Sequence, residues 1–365
     1  MNDRVVLLTT NLARGGAETQ VARLAIALRG RGWPATVISL IAPTAFEEEL
    51  VAAGVPVHSL GMRPGEKRTN PAGFARLLAL LRDIRPRIVH SHMFHANMAG
   101  RAARLLYPAP AVLSTLHSIA ESGRQSGETR FRDLVYRVTD PLADVTVAVC
   151  QAAAERHAAS RAVPRSKLRV IPNGVDTNVF RPGDGHPGDE FTWLAVGRLM
   201  WKKDYPTMLR AFASRARGVL LIAGDGPEEG ALRELAGDLR ANVRFLGPRD
   251  DIASLMRACD GFVLSSLVEG LPMALLEAAA SALPCVATDV GGVREIVLDG
   301  RTGFVVRPGD PAPLAEAISR VMALSAEERR RMGEKARAHA VTQFDMAVVV
   351  EKWEKLYQEL TSAGS

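Results

Sequence analysis

The stretch GFVLSSLVEGLPMALLE, Gly261–Glu277, decides the fold. Its opening, Gly261–Ser265, is a short apolar run of the length of a strand covered on both faces. From Pro272 onward the composition turns to Ala and Leu, and Pro272 suits a first helical position, where its missing N–H is no loss. A strand that passes through a short loop into a helix is half of a βαβ unit, and such units build parallel sheets. Two acids bracket the helix start: Glu269 falls in the loop and Glu277 lies about a turn and a half into the helix. An Ala/Leu helix needs no carboxylate for its core, and an unpartnered one in a buried helix is costly. The pair suits acceptance of hydrogen bonds from vicinal hydroxyls.

The same unit recurs on both sides. Upstream, strand-like runs lie at Val5–Thr10, Ala35–Leu40, Arg87–Ser91, Ala111–His117, Val145–Val149 and Leu168–Ile171. Helix-period segments separate them; in Ala17–Arg29 the residues Ala17, Val21, Leu24, Ala25 and Leu28 share one face. Asn178–Glu190, NVFRPGDGHPGDE, is rich in Pro, Gly and Asp without a hydrophobic period and marks a linker. A second series follows at Thr192–Val196, Val219–Ala223, Val243–Leu246, Gly261–Ser265, Pro284–Thr288 and Gly303–Val306. At 365 residues the chain exceeds the usual size of one core. The expected architecture is α/β: two doubly wound parallel-sheet domains, 1–180 and 190–342, and a C-terminal helix, 343–365. Ser325–Leu360 is helical in pattern, and Phe344, Val348, Trp353, Leu356 and Leu360 would form one apolar stripe packing back on the N-terminal domain.

With 47% hydrophobic and 24% charged residues the chain is an ordinary globular one, which excludes a disordered protein. Cys150, Cys259 and Cys285 are far apart and lack C-x-x-C or zinc spacing, so they are expected to be reduced and structural. With no signal peptide and no run of about 18 apolar residues, the expected location is cytoplasmic. The net charge of +6 is uneven: residues 1–185 hold 24 Lys and Arg against 15 Asp and Glu. That basic half is either a solvated arginine-rich surface or one that meets an anionic membrane or a pyrophosphate-bearing acceptor. The corresponding expectation is peripheral contact with the inner face of the cytoplasmic membrane, and no nucleic acid partner.

Three further motifs bear on chemistry. The first strand runs into NLARGGAE, Asn11–Glu18, which is either a tight βα turn needing φ > 0 or an anion site made by backbone N–H groups and a helix N-terminus. Neither half carries G-x-G-x-x-G followed by the ribose acid, which disfavours a dehydrogenase. AVGRLMWKKD, Ala195–Asp204, sets Arg198 and Lys203 just past a strand's carboxyl end, where α/β sheets bind ligands. A guanidinium and an ammonium so placed suit a diphosphate without a metal; the alternative is two solvated loop cations. His90, His92 and His95 lie together, but no carboxylate or cysteine completes a zinc set. His92 and His95, with Arg14, are assigned instead to an acceptor, and the AGDGP turn at Ala223–Pro227 to structure.

In order and spacing these motifs resemble the retaining glycosyltransferases of the two-domain GT-B fold, family 4 or group 1, of the type that assembles bacterial polysaccharides and lipid-linked glycans. The resemblance spans nearly the whole chain. It rests on GGAE at Gly15–Glu18, STLH at Ser114–His117, IPNGVD at Ile171–Asp176, GRL with Lys203, AGDGP, FLG at Phe245–Gly247, and Glu269 with Glu277. It implies two Rossmann-like domains facing a central cleft. It also implies that the Gly15 and Gly16 amides with Arg198 and Lys203 hold a donor diphosphate, and that Glu277 accepts from ribose hydroxyls. By the same resemblance Glu269 and the backbone of Gly270, Leu271, Pro272 and Met273 hold the transferred sugar, His117 bonds one of its hydroxyls, and the Phe245–Asp251 loop frames the nucleobase. One departure stands out: the family's Glu-Lys-Gly is Lys202-Lys203-Asp204 here, so the glycine of that turn is missing.

The expected reaction is front-face substitution from a nucleotide-sugar, UDP-linked first and GDP-mannose second. A hexosyl or N-acetylhexosaminyl group would pass to a glycan or polyprenyl-linked acceptor. No D-x-D tripeptide occurs, so no metal and no cofactor are expected. A nucleotide-sugar epimerase of the same fold is the rival enzyme; a non-catalytic sugar-nucleotide-binding subunit is the rival from another class.

Overall fold

The computed structural model describes residues 3–63, 70–119, 126–183, 190–215, 218–239 and 242–362. Residues 184–189 of the expected linker lie outside them. The chain forms two compact units, Met1–Gly174 together with Met346–Ser365, and Val175–Asp345.

In the first unit β1 (Val5–Thr9), β2 (Ala35–Ile41), β3 (Val57–Met62), β4 (Ile88–His92), β5 (Ala111–Leu116), β6 (Val145–Ala148) and β7 (Leu168–Val170) pair in parallel in the order β3-β2-β1-β4-β5-β6-β7. The connecting helices are α1 (Gly16–Gly30), α2 (Glu47–Ala52), α3 (Pro71–Ile84), α4 (Phe94–Ala103), α5 (Ser126–Thr139) and α6 (Gln151–Ala159). β1 is buried throughout because its alternate residues serve two cores. Val5 and Leu7 join Val21, Leu24 and Leu28 of α1 on one face. Val6 and Leu8 join Leu77 and Leu81 of α3 on the other. β3 was not expected from the sequence. It is the sheet's edge, His58, Ser59 and Gly61 interrupt its apolar residues, and only Leu60 is buried.

The second unit repeats the plan with β8 (Thr192–Val196), β9 (Val219–Ala223), β10 (Val243–Gly247), β11 (Gly261–Leu264), β12 (Cys285–Thr288) and β13 (Gly303–Val306), again parallel, in the order β10-β9-β8-β11-β12-β13. Its helices are α7 (Tyr205–Arg215), α8 (Glu229–Asp238), α9 (Ile252–Arg257), α10 (Met273–Ala280), α11 (Val293–Ile296), α12 (Pro311–Ala323) and α13 (Ala326–Phe344). Trp193, Leu220, Val263 and Val286 from the strands pack on Leu209, Leu314 and Ile318. In both sheets the strand order reverses beside the first strand, between β1 and β4 and between β8 and β11. Such switch points open a crevice at the strands' carboxyl ends.

The units divide a few residues before the Pro- and Gly-rich stretch. The Gln20 amide holds Gly174 at both backbone groups, at 2.6 and 2.7 Å. The next residue, Val175, already donates to the Phe344 carbonyl at 2.8 Å, and the Thr177 hydroxyl bonds the Asp345 carboxylate.

Asp345 also corrects the expected continuous C-terminal helix. Its extended ψ of 140° ends α13, and α14 (Met346–Ser362) starts afresh. The expected stripe is therefore split. Phe344 is buried in the second unit and Val348 is half-buried, while Val349, Val350, Trp353, Leu356 and Tyr357 enter the α1 side of the first core, with Leu360 beside them. The Glu354 carboxylate fastens α14 by accepting from Trp33 Nε1 at 2.8 Å and Arg31 Nε at 2.9 Å. Among the described residues no helix is long and apolar enough to cross a membrane, and the three cysteines are buried and form no disulfide.

Candidate functional site

In the second unit the loops after β8 and β11 meet at the switch point. Lys203, from the single 3-10 turn Trp201–Lys203, places Nζ 2.6 Å from Glu269 Oε1. The Ser266 hydroxyl donates to the same oxygen at 2.7 Å. Glu269 Oε2 carries no bond among the described residues and is the face of the carboxylate left for a ligand. Two hydroxyls fix the pair from beneath. Ser265 donates to the Lys203 carbonyl at 2.7 Å and to Asp204's at 3.0 Å, and Thr288 donates to the Ser266 carbonyl at 2.6 Å. Arg198 is exposed, and its guanidinium bonds nothing among the described residues.

Close backbone packing sets these loops. Gly224, at φ 138°, lies against the Gly197 carbonyl, and Leu199 N–H donates to the Asp225 carbonyl at 2.7 Å, so the AGDGP turn is zipped onto GRL. Gly291, at φ 55°, does the same for Glu269: a Cβ there would lie 2.5 Å from the carbonyl oxygens of Glu269 and Gly270. The missing family glycine costs the turn nothing in shape. Asp204 takes the left-handed conformation itself, φ 47° and ψ 47°, which Asp tolerates better than most side chains. Burial pushes the Tyr205 phenol well above its usual range and the Glu269 charge adds to this, so its hydroxyl stays protonated and donates to the Gly197 carbonyl at 3.0 Å. Pro272 is the residue before α10 rather than its first: its ψ of 114° is extended, and its carbonyl accepts from Leu276 N–H at 3.1 Å. Leu271 is buried, Met273 starts the helix, and Glu277 stands half-buried between the buried Leu276 and Ala278.

In the first unit Gly15 and Gly16 open α1, but not through a left-handed turn. Gly15 is extended, φ −171°, a conformation open to any residue, and the flexible end of the Glu18 side chain folds over the space a Cβ would fill. Arg14 beside it is exposed. The expected acceptor histidines part company. His95 is exposed on α4 near Arg132 and Glu128 of α5, whereas His92, at the end of β4, is 2% exposed. His92 Nδ1 lies 3.1 Å from Nε2 of His117, which follows β5. Behind them His90 is held at both nitrogens, by the Tyr357 and Thr115 hydroxyls, each at 2.7 Å. Burial keeps all three rings neutral, pushing His90 down to about 3, His117 to about 4 and His92 well below the usual imidazole value; neighbouring rings reinforce this for His90 and His92. Met93, next to His92, adopts φ 69° and ψ 158°, a region nearly reserved for glycine. Ser265, Ser266, Thr288, Gly291 and Met93 have no role assigned from the sequence, although Gly291-Gly292, just past β12, is a signal that could have pointed to the close approach.

The family described as Glycosyl transferases group 1 matches residues 176–339, and Glycosyltransferase Family 4 matches residues 14–179. The UDP-Gal:alpha-D-GlcNAc-diphosphoundecaprenol alpha-1,3-galactosyltransferase of Escherichia coli is 30% identical over 318 residues, 78% of each chain. The chain belongs to glycosyltransferase family 4. A second relative of this transferase, the putative glycosyltransferase EpsF of Bacillus subtilis, is 30% identical over 353 residues, 89% of each chain. The Anabaena Alr3699/HepE structure in complex with UDP and glucose superposes with a TM-score of 0.85 at 23% identity, covering 98% of this chain and 100% of that one. That likeness establishes the GT-B fold.

Proposed function

We propose that this glycosyltransferase is a retaining, metal-independent enzyme. It moves a hexosyl or N-acetylhexosaminyl group from a nucleotide-sugar, UDP-linked in the first instance, to a hydroxyl of a glycan or polyprenyl-linked acceptor. The observation that carries this is the cation and carboxylate set at the second switch point. Arg198 is unengaged, Lys203 is bound through one N–H to Glu269, and Glu269 keeps Oε2 open. An ammonium has three donors, so Lys203 can hold the carboxylate and a phosphate oxygen together. Support for the donor comes from the UDP and glucose of the Anabaena complex and the UDP-Gal of the Escherichia coli enzyme's name. That enzyme's diphosphoundecaprenol substrate supports a lipid-linked acceptor.

In the reaction the bond from the anomeric carbon to the diphosphate oxygen breaks, and the acceptor oxygen bonds that carbon from the same face. The hydroxyl proton passes to the departing diphosphate. Arg198 and Lys203 stabilise the charge that builds there, which is preorganised electrostatic catalysis and needs no divalent ion. Glu269 accepts from hydroxyls of the transferred sugar, and neutral His117 bonds another. For a lipid-linked acceptor the exposed apolar residues of α5, Phe131, Leu134 and Val138, form one face flanked by Arg130 and Arg137 and suit an anionic membrane surface.

The test is a thermal-shift screen with UDP-, GDP-, ADP- and TDP-sugars, with and without EDTA, on wild type and an Arg198→Ala/Lys203→Ala variant. A response to one nucleotide class that survives EDTA and disappears in the variant is expected. An EDTA-sensitive response, or none, refutes the donor reading. Conversion of donor without acceptor identifies an epimerase instead.

A further inference from the structure

His92 is a buried imidazole beside His117 that the reaction above leaves without a task. It and His117 end neighbouring strands, and both line a recess with Gln20, Asn173 and Trp353. Nitrogens of two neutral imidazoles 3.1 Å apart share one proton, so one ring donates and the other accepts. The tautomers are thereby tied. If His92 carries its proton on Nδ1, His117 must carry its own on Nδ1. If His117 is protonated at Nε2, its Nδ1 is bare and His92 is protonated at Nε2. The two outer nitrogens, His117 Nδ1 and His92 Nε2, are buried and bond nothing among the described residues.

His92 cannot turn away from this contact. Its ring packs, tilted by 39°, on His90 at 4.0 Å between centroids, and His90 is locked by Thr115 and by Tyr357 of α14, with the Trp353 ring tilted against it at 4.5 Å. We propose that His92 is a positioning residue that fixes the orientation and tautomer of His117, and so decides whether His117 Nδ1 offers a proton or a lone pair to a sugar hydroxyl. The ligand class this pair suits is a neutral hydroxyl, which can take either role, and not an anion. The inference rests on the reading of His117 as a contact to the transferred sugar. The pairing itself does not.

Long-range ¹H–¹⁵N correlation on the full chain labelled at histidine nitrogens tests the pairing without any substrate. In the wild type at pH 7.5, His117 is expected in a single tautomer, with the His92 tautomer that the shared proton dictates. In His92→Leu the two His117 nitrogens should move toward averaged shifts, and His92→Asn, which keeps a polar atom near the Nδ1 position, should restore one tautomer. One ring protonated at Nδ1 and the other at Nε2 in the wild type, which would put two protons or two lone pairs into the contact, or a His117 unchanged in His92→Leu, overturns the proposal; the wild-type spectrum decides even if the leucine variant does not fold. Kinetically, His92→Leu should lose about tenfold to a hundredfold in kcat at a nearly constant donor KM, the scale of a misplaced contact, and His92→Asn should recover part of it. Normal kcat in His92→Leu with the predicted spectra keeps the pairing and refutes the catalytic role of His117.

Discussion

Mild acid should open the first unit and leave the second closed. His90, His92, His117 and His157 are buried in the first unit, and burial is the leading cause that depresses each: His90 to about 3, His117 and His157 to about 4, and His92 well below the ordinary value. In the unfolded chain each imidazole titrates near 6.5, so below that pH the unfolded state binds more protons than the folded one. The stability these neutral rings allow is complete above about pH 6.5 and is lost as the pH falls from there toward the folded values. At pH 5.5, one unit below the unfolded value, each group costs about 1.4 kcal/mol, and this holds for any folded value below about 5. Four such groups cost roughly 5–6 kcal/mol, comparable to the whole stability of many domains, about 5–15 kcal/mol. Carboxylates contribute little in this window because they titrate near 4. The described residues of the second unit contain one histidine, His339, half-buried at the surface of α13. Amide hydrogen exchange from pH 7.5 to 5.5, corrected for intrinsic rates, resolves the units by peptide. Peptides of β1, β4 and β5 should lose most of that free energy, and those of β8 and β11 should lose little. His157→Gln, remote from the His92–His117 contact, should remove about 1.4 kcal/mol of the loss. A change under about 1 kcal/mol in the first unit, or equal losses in both, refutes the reasoning.

Ser266→Ala removes a hydrogen bond to the Glu269 carboxylate, worth about 1.5–3 kcal/mol, so donor kcat/KM should fall roughly tenfold to a hundredfold and the melting temperature should drop by several degrees. Asp204→Gly should be neutral or stabilising by up to about 1 kcal/mol, since glycine adopts the left-handed region freely, while Asp204→Val should cost about 1–2 kcal/mol; chemical denaturation followed in the second unit checks both. Gly291→Ala combines an unfavourable φ with a Cβ against two carbonyls, and it should destabilise by more than about 1 kcal/mol and depress activity through Glu269, so wild-type turnover in this variant would contradict the close approach. Replacing Phe131, Leu134 and Val138 together by Ser should abolish co-sedimentation with vesicles of mixed phosphatidylglycerol and phosphatidylcholine while sparing activity on a soluble acceptor, and unchanged sedimentation would remove α5 as the contact.

What the sequence disclosed and what it concealed follow from one distinction. Central strands such as β1 and β11 are buried on both faces, so their apolar runs announce themselves, and the motifs at their carboxyl ends could be placed before any coordinates. Edge strand β3 is half-exposed, and His58, Ser59 and Gly61 break its apolar run so that it reads as a loop. Asp345 interrupts a helix without Gly or Pro because its constraint is the Thr177 hydroxyl, 168 residues upstream. His92 shows the same limit within the candidate site. From spacing alone His90, His92 and His95 lie together, with His92 and His95 assigned alike to an acceptor. A strand period of two turns the first pair to a common face, where Tyr357 and Trp353 arrive from the other end of the chain and bury them. A residue type that signals chemistry thus names the candidates, while its role depends on which distant element closes over it. For this glycosyltransferase that element is α14, so substitutions at Tyr357 should reach the His117 tautomer through His90 and His92 without touching any substrate.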